Sequence, residues 1–228
     1  MSTETIAYEK RYQDWRAQYD TLFALENRSP QQDELFPLAD GYSIRSKAYF
    51  YGGDLYLNGS ESELLDREGK VRYAWRNLDT DGEFCSLFGH SNGKHYLIFR
   101  TELYGYSILE VESGQEMHYV PACVHPEEGQ KAEEVFIWTS ADYDPGTDLL
   151  PVTGCIWACP YYTIVLDVSC PFQPHPRSVG WICGTSLTRT TPDLTILSLS
   201  SRTTTACFFG AATQRMTGGK KFECRWNS

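Results

Sequence analysis

The spacing of apolar and polar positions changes once along the chain. Near the start it is helical: Tyr8, Tyr12, Trp15, Tyr19 and Leu22 recur at spacings of 4, 3, 4 and 3, with Glu9, Lys10, Arg11 and Arg16 off the stripe. That pattern predicts an amphipathic helix over about residues 5–26, docked by its aromatic face on the rest of the protein. Residues 27–41, with Pro30, Pro37 and Gly41, read as a connecting loop. From Tyr42 the period falls to two. Short runs of aromatic and β-branched residues are punctuated by Gly, Asn and Asp, which predicts strands near 43–51, 54–58, 63–66, 71–75, 84–88, 94–101, 105–112, 116–120, 135–139, 149–157 and 163–168. The expected fold class is mainly β, built from repeated antiparallel hairpins with one helix at the N-terminus.

Three of these units share a signature in which an apolar strand ends on a carboxylate. They are Leu64-Leu65-Asp66, Ile108-Leu109-Glu110 and Ile164-Val165-Leu166-Asp167. The first two run into glycine turns, and Gly69 and Gly114 lie 45 positions apart. Strand, acidic turn, glycine and returning strand at that interval resemble one blade of a β-propeller of the WD type, whose repeats run about 40 to 45 residues. The resemblance covers residues 43–172. It implies a partial propeller-like array, with an open meander as the alternative, and it does not extend to a recurring Gly-His or Trp-Asp pair.

Charge divides the chain differently. Residues 1–174 hold 13 Lys/Arg and 28 Asp/Glu, whereas residues 175–228 hold 7 and 2 and carry Thr and Ser clusters such as Thr203-Thr204-Thr205. Three segments follow: 1–41, the helix and loop; 42–174, the β-repeat region; and 175–228, an atypical tail. We read the tail as an out-of-frame translation. Shifted by one base from Arg177, a permitted choice of codons gives an acidic sequence with the strand-like runs IELVV, LFFRG and EVRVPVE. Some steps are forced, since Trp181-Ile182 and Met216-Thr217 each give Asp and Trp226-Asn227 gives Glu. The plainer alternative is a genuine Ser/Thr-rich tail that packs little apolar surface. Sequencing the gene and translating all three frames separates the two.

The net charge of −10, without a Lys/Arg-rich run, argues against a nucleic-acid partner, because nothing releases counterions from a phosphate backbone. No stretch approaches the roughly 18 uncharged apolar residues of a membrane helix, so no membrane partner is expected. The start, Met1-Ser2-Thr3-Glu4-Thr5, lacks the basic and apolar regions of a secretory signal, and the expected location is cytoplasmic. The eight cysteines, at 85, 123, 155, 159, 170, 183, 207 and 224, are irregularly spaced in a long chain and read as mostly reduced.

Candidate chemistry is sparse. His118, Cys123 and His125, followed by Cys155 and Cys159, are weak candidates for a metal, but their spacings do not match the short paired spacings of zinc sites. Buried thiols packed as small hydrophobes are the preferred reading, so no metal and no cofactor are expected. Asp142, Asp144 and Asp148 alternate around Gly146 as in calcium loops, and Asn77, Asp79 and Asp81 precede Gly82. The twelfth positions, however, are Thr153 and Phe88 where a bidentate Glu is required. Both segments therefore read as hairpin loops whose Asp side chains cap their own backbone. Motifs for a nucleophile elbow, a phosphate-cradling loop or His-Glu-x-x-His are missing. Large aromatics do flank turns: Tyr104 and Tyr106 around Gly105, and Trp157 and Tyr161 near Pro160. With Asp142 and Asp144 these are the candidate binding residues, weighed against ordinary core packing. The expected role is a non-catalytic scaffold that binds a protein or a small ligand on loop-borne aromatic and acidic residues. The alternatives are a hydrolase, metal-dependent or nucleophilic, using the His118 to His125 region with Asp142 or Asp144, and a frameshifted product without independent function.

Overall fold

The computed structural model describes residues 5–52, 56–78, 84–157 and 159–173, together with the backbone of 178–182. All belong to one unit, Ser2–Cys183, and the second unit, Met1 with Gly184–Ser228, lies outside the described residues. Among the described residues, twelve strands form three four-stranded antiparallel sheets, each with its strands in chain order. The first holds β1 (Glu34–Pro37), β2 (Ser43–Gly52), β3 (Tyr56–Leu65) and β4 (Val71–Leu78). The second holds β5 (Cys85–Gly89), β6 (His95–Phe99), β7 (Tyr106–Glu110) and β8 (Glu116–Tyr119). The third holds β9 (Ile137–Ala141), β10 (Leu149–Cys155), β11 (Tyr162–Asp167) and β12 (Ser178–Ile182).

The middle sheet is dry on both faces. Leu87, Leu97, Phe99 and Leu109 pack against Ile44, Leu64 and Trp75 of the first sheet. Their neighbours Phe88, Tyr96, Ile98 and Ile108 pack against Trp138, Leu150, Val152, Ile164 and Leu166 of the third. Two buried faces explain why β6 ends in the unbroken apolar run Tyr-Leu-Ile-Phe and why all five residues of β7, Ser107 and Glu110 included, are buried, while strands with one wet face alternate. The first sheet is of the alternating kind. Its outer face carries Arg45 and Lys47 on Glu63, and Arg76 on Glu61. Burial alone would raise the Glu63 pKa, but hydrogen bonds from Lys47 and Arg45 outweigh it and hold that carboxyl below its ordinary value.

The repeated carboxylate signature falls at the end of the third strand in every sheet. Asp66 Oδ1 accepts the backbone N–H groups of Glu68 and Lys70, at 3.0 and 2.9 Å. Asp167 Oδ1 accepts that of Ser169 at 3.0 Å, and Glu110 binds Lys94 Nζ at 2.8 Å. Two of the three acids thus cap the turn that follows, which is why the motif precedes a bend. Gly69 and Gly114 occupy the left-handed region there, with φ of 77° and 72°.

The helix is shorter than its stripe predicts. α1 spans Lys10–Ala17, and the aromatic stripe continues through a 3-10 turn at Asp20–Phe23. Upstream, Ile6 donates its N–H to the Val120 carbonyl, which draws the chain into a bridge with the segment after β8. Downstream, Gln18, Tyr19 and Leu22 bond to carbonyls three residues back, tightening the coil and turning Leu22 onto the first sheet. Leu22 seats where a Cβ on Gly59 would lie 2.8 Å from its Cδ2. Two strands escaped the sequence pattern: β1, in the stretch read as loop, and β12, at the start of the atypical tail. β1 is four residues long, ends in proline and, among the described residues, pairs only with β2, an edge position that proline tolerates. The predicted strands 54–58 and 63–66 are one strand, β3, because the polar run between them is paired on both sides and buries Ser60 and Ser62. Of the tail to which the frameshift reading applies, residues 175–228, only Ser178–Ile182 are described, as β12; the rest, and residues 79–83 of the second acidic loop, lie outside the described residues.

Candidate functional site

The loop joining β6 to β7 and the segment that follows β8 lie together, and α1 packs on them. In the second sheet this loop leaves β6 at Phe99 and returns at Gly105, whose φ is 82° and where an added Cβ would run into the Tyr119 carbonyl oxygen. Only glycine fits that approach. The loop between holds Glu102, a carboxylate only 4% exposed. After β8, Pro121 and a 3-10 turn at Ala122–Val124 bring His125 up to it, with Nε2 3.0 Å from Glu102 Oε1. From α1, the Tyr12 hydroxyl donates to Glu102 Oε2 at 2.9 Å. Burial, and then the Glu102 charge, push the Tyr12 pKa far above its ordinary value, so the hydroxyl remains a donor. Trp15 closes the cluster, its ring centroid 4.2 Å from that of His125. Arg16 binds the carbonyl oxygens of Thr101 and Arg76, tying the helix to the ends of both neighbouring sheets.

A cavity of about 270 Å³ opens beside this cluster, lined by Trp15, Tyr19, Glu102, Tyr104 and His125 together with apolar side chains from β3 and β4. The sequence had marked Tyr104 and His125. It gave no sign of Glu102, because one acid between Thr101 and Leu103 has no spacing or motif to flag it. Tyr12 and Trp15 were legible only as the apolar face of a helix.

The other sequence candidates are dispersed. Tyr106 is buried and stacks on Trp138 with centroids 4.5 Å apart; its hydroxyl has no hydrogen-bond partner among the described residues. Trp157 and Tyr161, on the loop between β10 and β11, are 58% and 63% exposed. Asp142 and Asp144 stand at the opposite end of β10, whose seven residues span about 20 Å at roughly 3.3 Å each. The acidic and aromatic candidates of the third sheet therefore do not form one surface. Asp144 caps its own loop, accepting Gly146 N–H at 3.0 Å and Thr147 Oγ1 at 2.7 Å; the Thr147 hydroxyl and then the Gly146 amide hold its pKa below the ordinary carboxylate value.

His118 and His125 serve different partners. His118 Nδ1 lies 2.7 Å from Ser107 Oγ across the β7–β8 ladder, with Glu116 Oε1 3.5 Å from its Nε2. This has the order of a nucleophilic triad, yet Ser107 is 1% exposed and no carbonyl substrate reaches it. Cys123 is half-buried among Val135, Ala122 and the helix residues, and burial raises its thiol pKa. Among the described residues no three His, Cys, Asp or Glu side chains converge as ligands for a metal.

Burial depresses the His118 pKa from its ordinary value of 6.5, against the pull of Glu116. A depressed histidine contributes stability that is complete above about pH 6.5 and is lost as the pH falls toward the folded pKa. The carboxyls of Asp33, Glu110 and Asp148 are lowered by hydrogen bonds from Arg28, Lys94 and Tyr143 respectively, so their contribution is lost only as the pH falls below about 4. Urea midpoints are therefore expected to decline below pH 6.5 and again below pH 4. His118→Gln is expected to flatten the upper step and leave the lower one.

Comparison with protein-family models, with curated proteins and with solved structures gave no match.

Proposed function

We propose that the protein is a non-catalytic binding module, a partial WD-type propeller-like array in which each four-stranded sheet acts as one blade. What supports this is the order of strands in all three sheets and the return of the acidic signature at each third strand. The observation that carries the binding role is the exposure of Trp157 and Tyr161 on one short loop. Large aromatics cost little side-chain entropy when fixed and dominate interface energies, so two on a tight loop suit recognition of a protein surface. The rival hydrolase reading has less behind it, since the Ser107 hydroxyl is enclosed and His125 is engaged with Glu102. For residues 175–228 we retain the out-of-frame reading as a proposal, although Ser178–Ile182 within them form β12 against β11, which speaks for the frame as given there.

The test is quantitative affinity capture with the full chain and a Trp157→Ala/Tyr161→Ala double variant. Both side chains are exposed, so the variant is expected to unfold at the same temperature as the parent. A partner retained by the parent and depleted about tenfold or more by the double variant fits loss of two aromatic anchors at about 1 kcal/mol or more each. Equal recovery of every retained protein overturns the reading.

A further inference from the structure

We propose that the cavity beneath α1 is a binding site for an organic cation, specifically an alkylammonium group. This goes beyond the loop surface of Trp157 and Tyr161 and uses none of its side chains. The walls are aromatic: Trp15 stands edge-on to Tyr19 with centroids 5.1 Å apart, lies tilted against His125 with centroids 4.2 Å apart, and shares the lining with Tyr104. Aromatic faces attract a desolvated cation through their quadrupoles, and a neutral guest of equal size gains only the apolar contact. The lining also holds one carboxylate, Glu102, and no Lys or Arg. Its two oxygens accept the Tyr12 hydroxyl and face His125 Nε2, which leaves acceptor capacity on a group with about four lone-pair sites. The nearest cation on α1, Arg16, does not line the cavity; its guanidinium binds the Thr101 and Arg76 carbonyls and the Tyr12 hydroxyl. The field of the whole chain, at net −10, further favours a positive guest.

The shape fits the same guest. The cavity is near the lower end of the range of small-molecule pockets, which run about 300 to 1,000 Å³, so it suits an ammonium head with a few methylenes. The apolar floor supplied by Leu22, Leu57 and Leu78 receives those methylenes while the head meets the aromatic collar and Glu102.

Titration of the full chain with n-butylammonium chloride, followed by tryptophan fluorescence and calorimetry, tests this against n-butanol of the same length. The expected result is saturable one-to-one binding of butylammonium, about tenfold tighter than butanol, a discrimination that the Glu102 carboxylate and the aromatic faces supply together, with the carboxylate as the larger part. Glu102→Gln keeps the shape and an acceptor for Tyr12, and is expected to erase most of that preference. Tyr104→Leu, which leaves the Glu102 cluster intact, is expected to weaken butylammonium more than butanol. N-acetyl-lysine methylamide separates the two sources of the group: tighter binding than butylammonium assigns the site to a lysine carried by a protein, and weaker binding assigns it to a free amine. Equal affinity for butanol and butylammonium, or no saturable binding of either by folded protein, overturns the proposal and leaves the role of Trp157 and Tyr161 untouched.

Discussion

Phe99→Ala is expected to destabilise the protein by about 3–5 kcal/mol, the range for deleting a fully buried phenylalanine. Phe99 has no exposed surface and packs its ring 4.6 Å from Trp75 and 5.8 Å from Tyr73, centroid to centroid. It therefore joins the second sheet to the first. The site is poorly able to collapse after truncation, because β6 is hydrogen-bonded on both sides and its neighbours Leu97 and Ile98 are buried on opposite faces. The cavity term should consequently stay near its upper value. Ile98→Val is the control, removing one methyl from the opposite face at about 0.5–1.5 kcal/mol. Urea denaturation followed by tryptophan fluorescence measures both. Equal losses for the two variants would show that Phe99 does not occupy a rigid inter-sheet position.

Most strands were legible because the feature that forms them is local. Alternation in β2 and β10, and turn carboxylates at Asp66 and Asp167, are properties of a few consecutive residues, and they gave strand positions to within a few residues. What stayed hidden depended on partners distant in sequence. β1 is a strand only because β2 accepts it at an edge, and the middle of β3 is a strand despite four polar or glycine positions because β2 and β4 flank it. The long helix failed for a similar reason: the spacing of Tyr19 and Leu22 satisfies a helix and a 3-10 turn alike, and contact with Gly59 decided between them. The cavity cluster was the least legible feature. Tyr12, Glu102 and His125 lie 90 and 23 positions apart, and no periodicity links them.

That cluster also accounts for how α1 stays attached, because the helix is too short to hold itself. Eight residues fall below the roughly 12–15 at which isolated helices become even marginally stable, and its N-cap residue Glu9 makes no side-chain capping bond. Docking must therefore supply the difference. Glu102→Ala would leave the buried Tyr12 hydroxyl and His125 Nε2 without their acceptor, and each stranded polar group costs about 1–3 kcal/mol. Relief from keeping a carboxylate out of water opposes this, so the expected net loss is about 3 kcal/mol, consistent with breaking a buried charged contact. Tyr12→Phe removes one donor but leaves Glu102 facing His125, and should cost about 1.5–3 kcal/mol as a hydrogen bond to a charged acceptor. Since the two changes disrupt one contact, the double variant should fall short of their sum by about 0.5 kcal/mol or more. Amide exchange across residues 10–17 supplies the local readout: both single variants should speed it, whereas β6 and β7, buried on both faces, should keep their protection. Additive losses with unchanged exchange in the helix would mean that Arg16 and its two carbonyl partners hold α1 in place, and that Glu102 is free to serve the cavity alone.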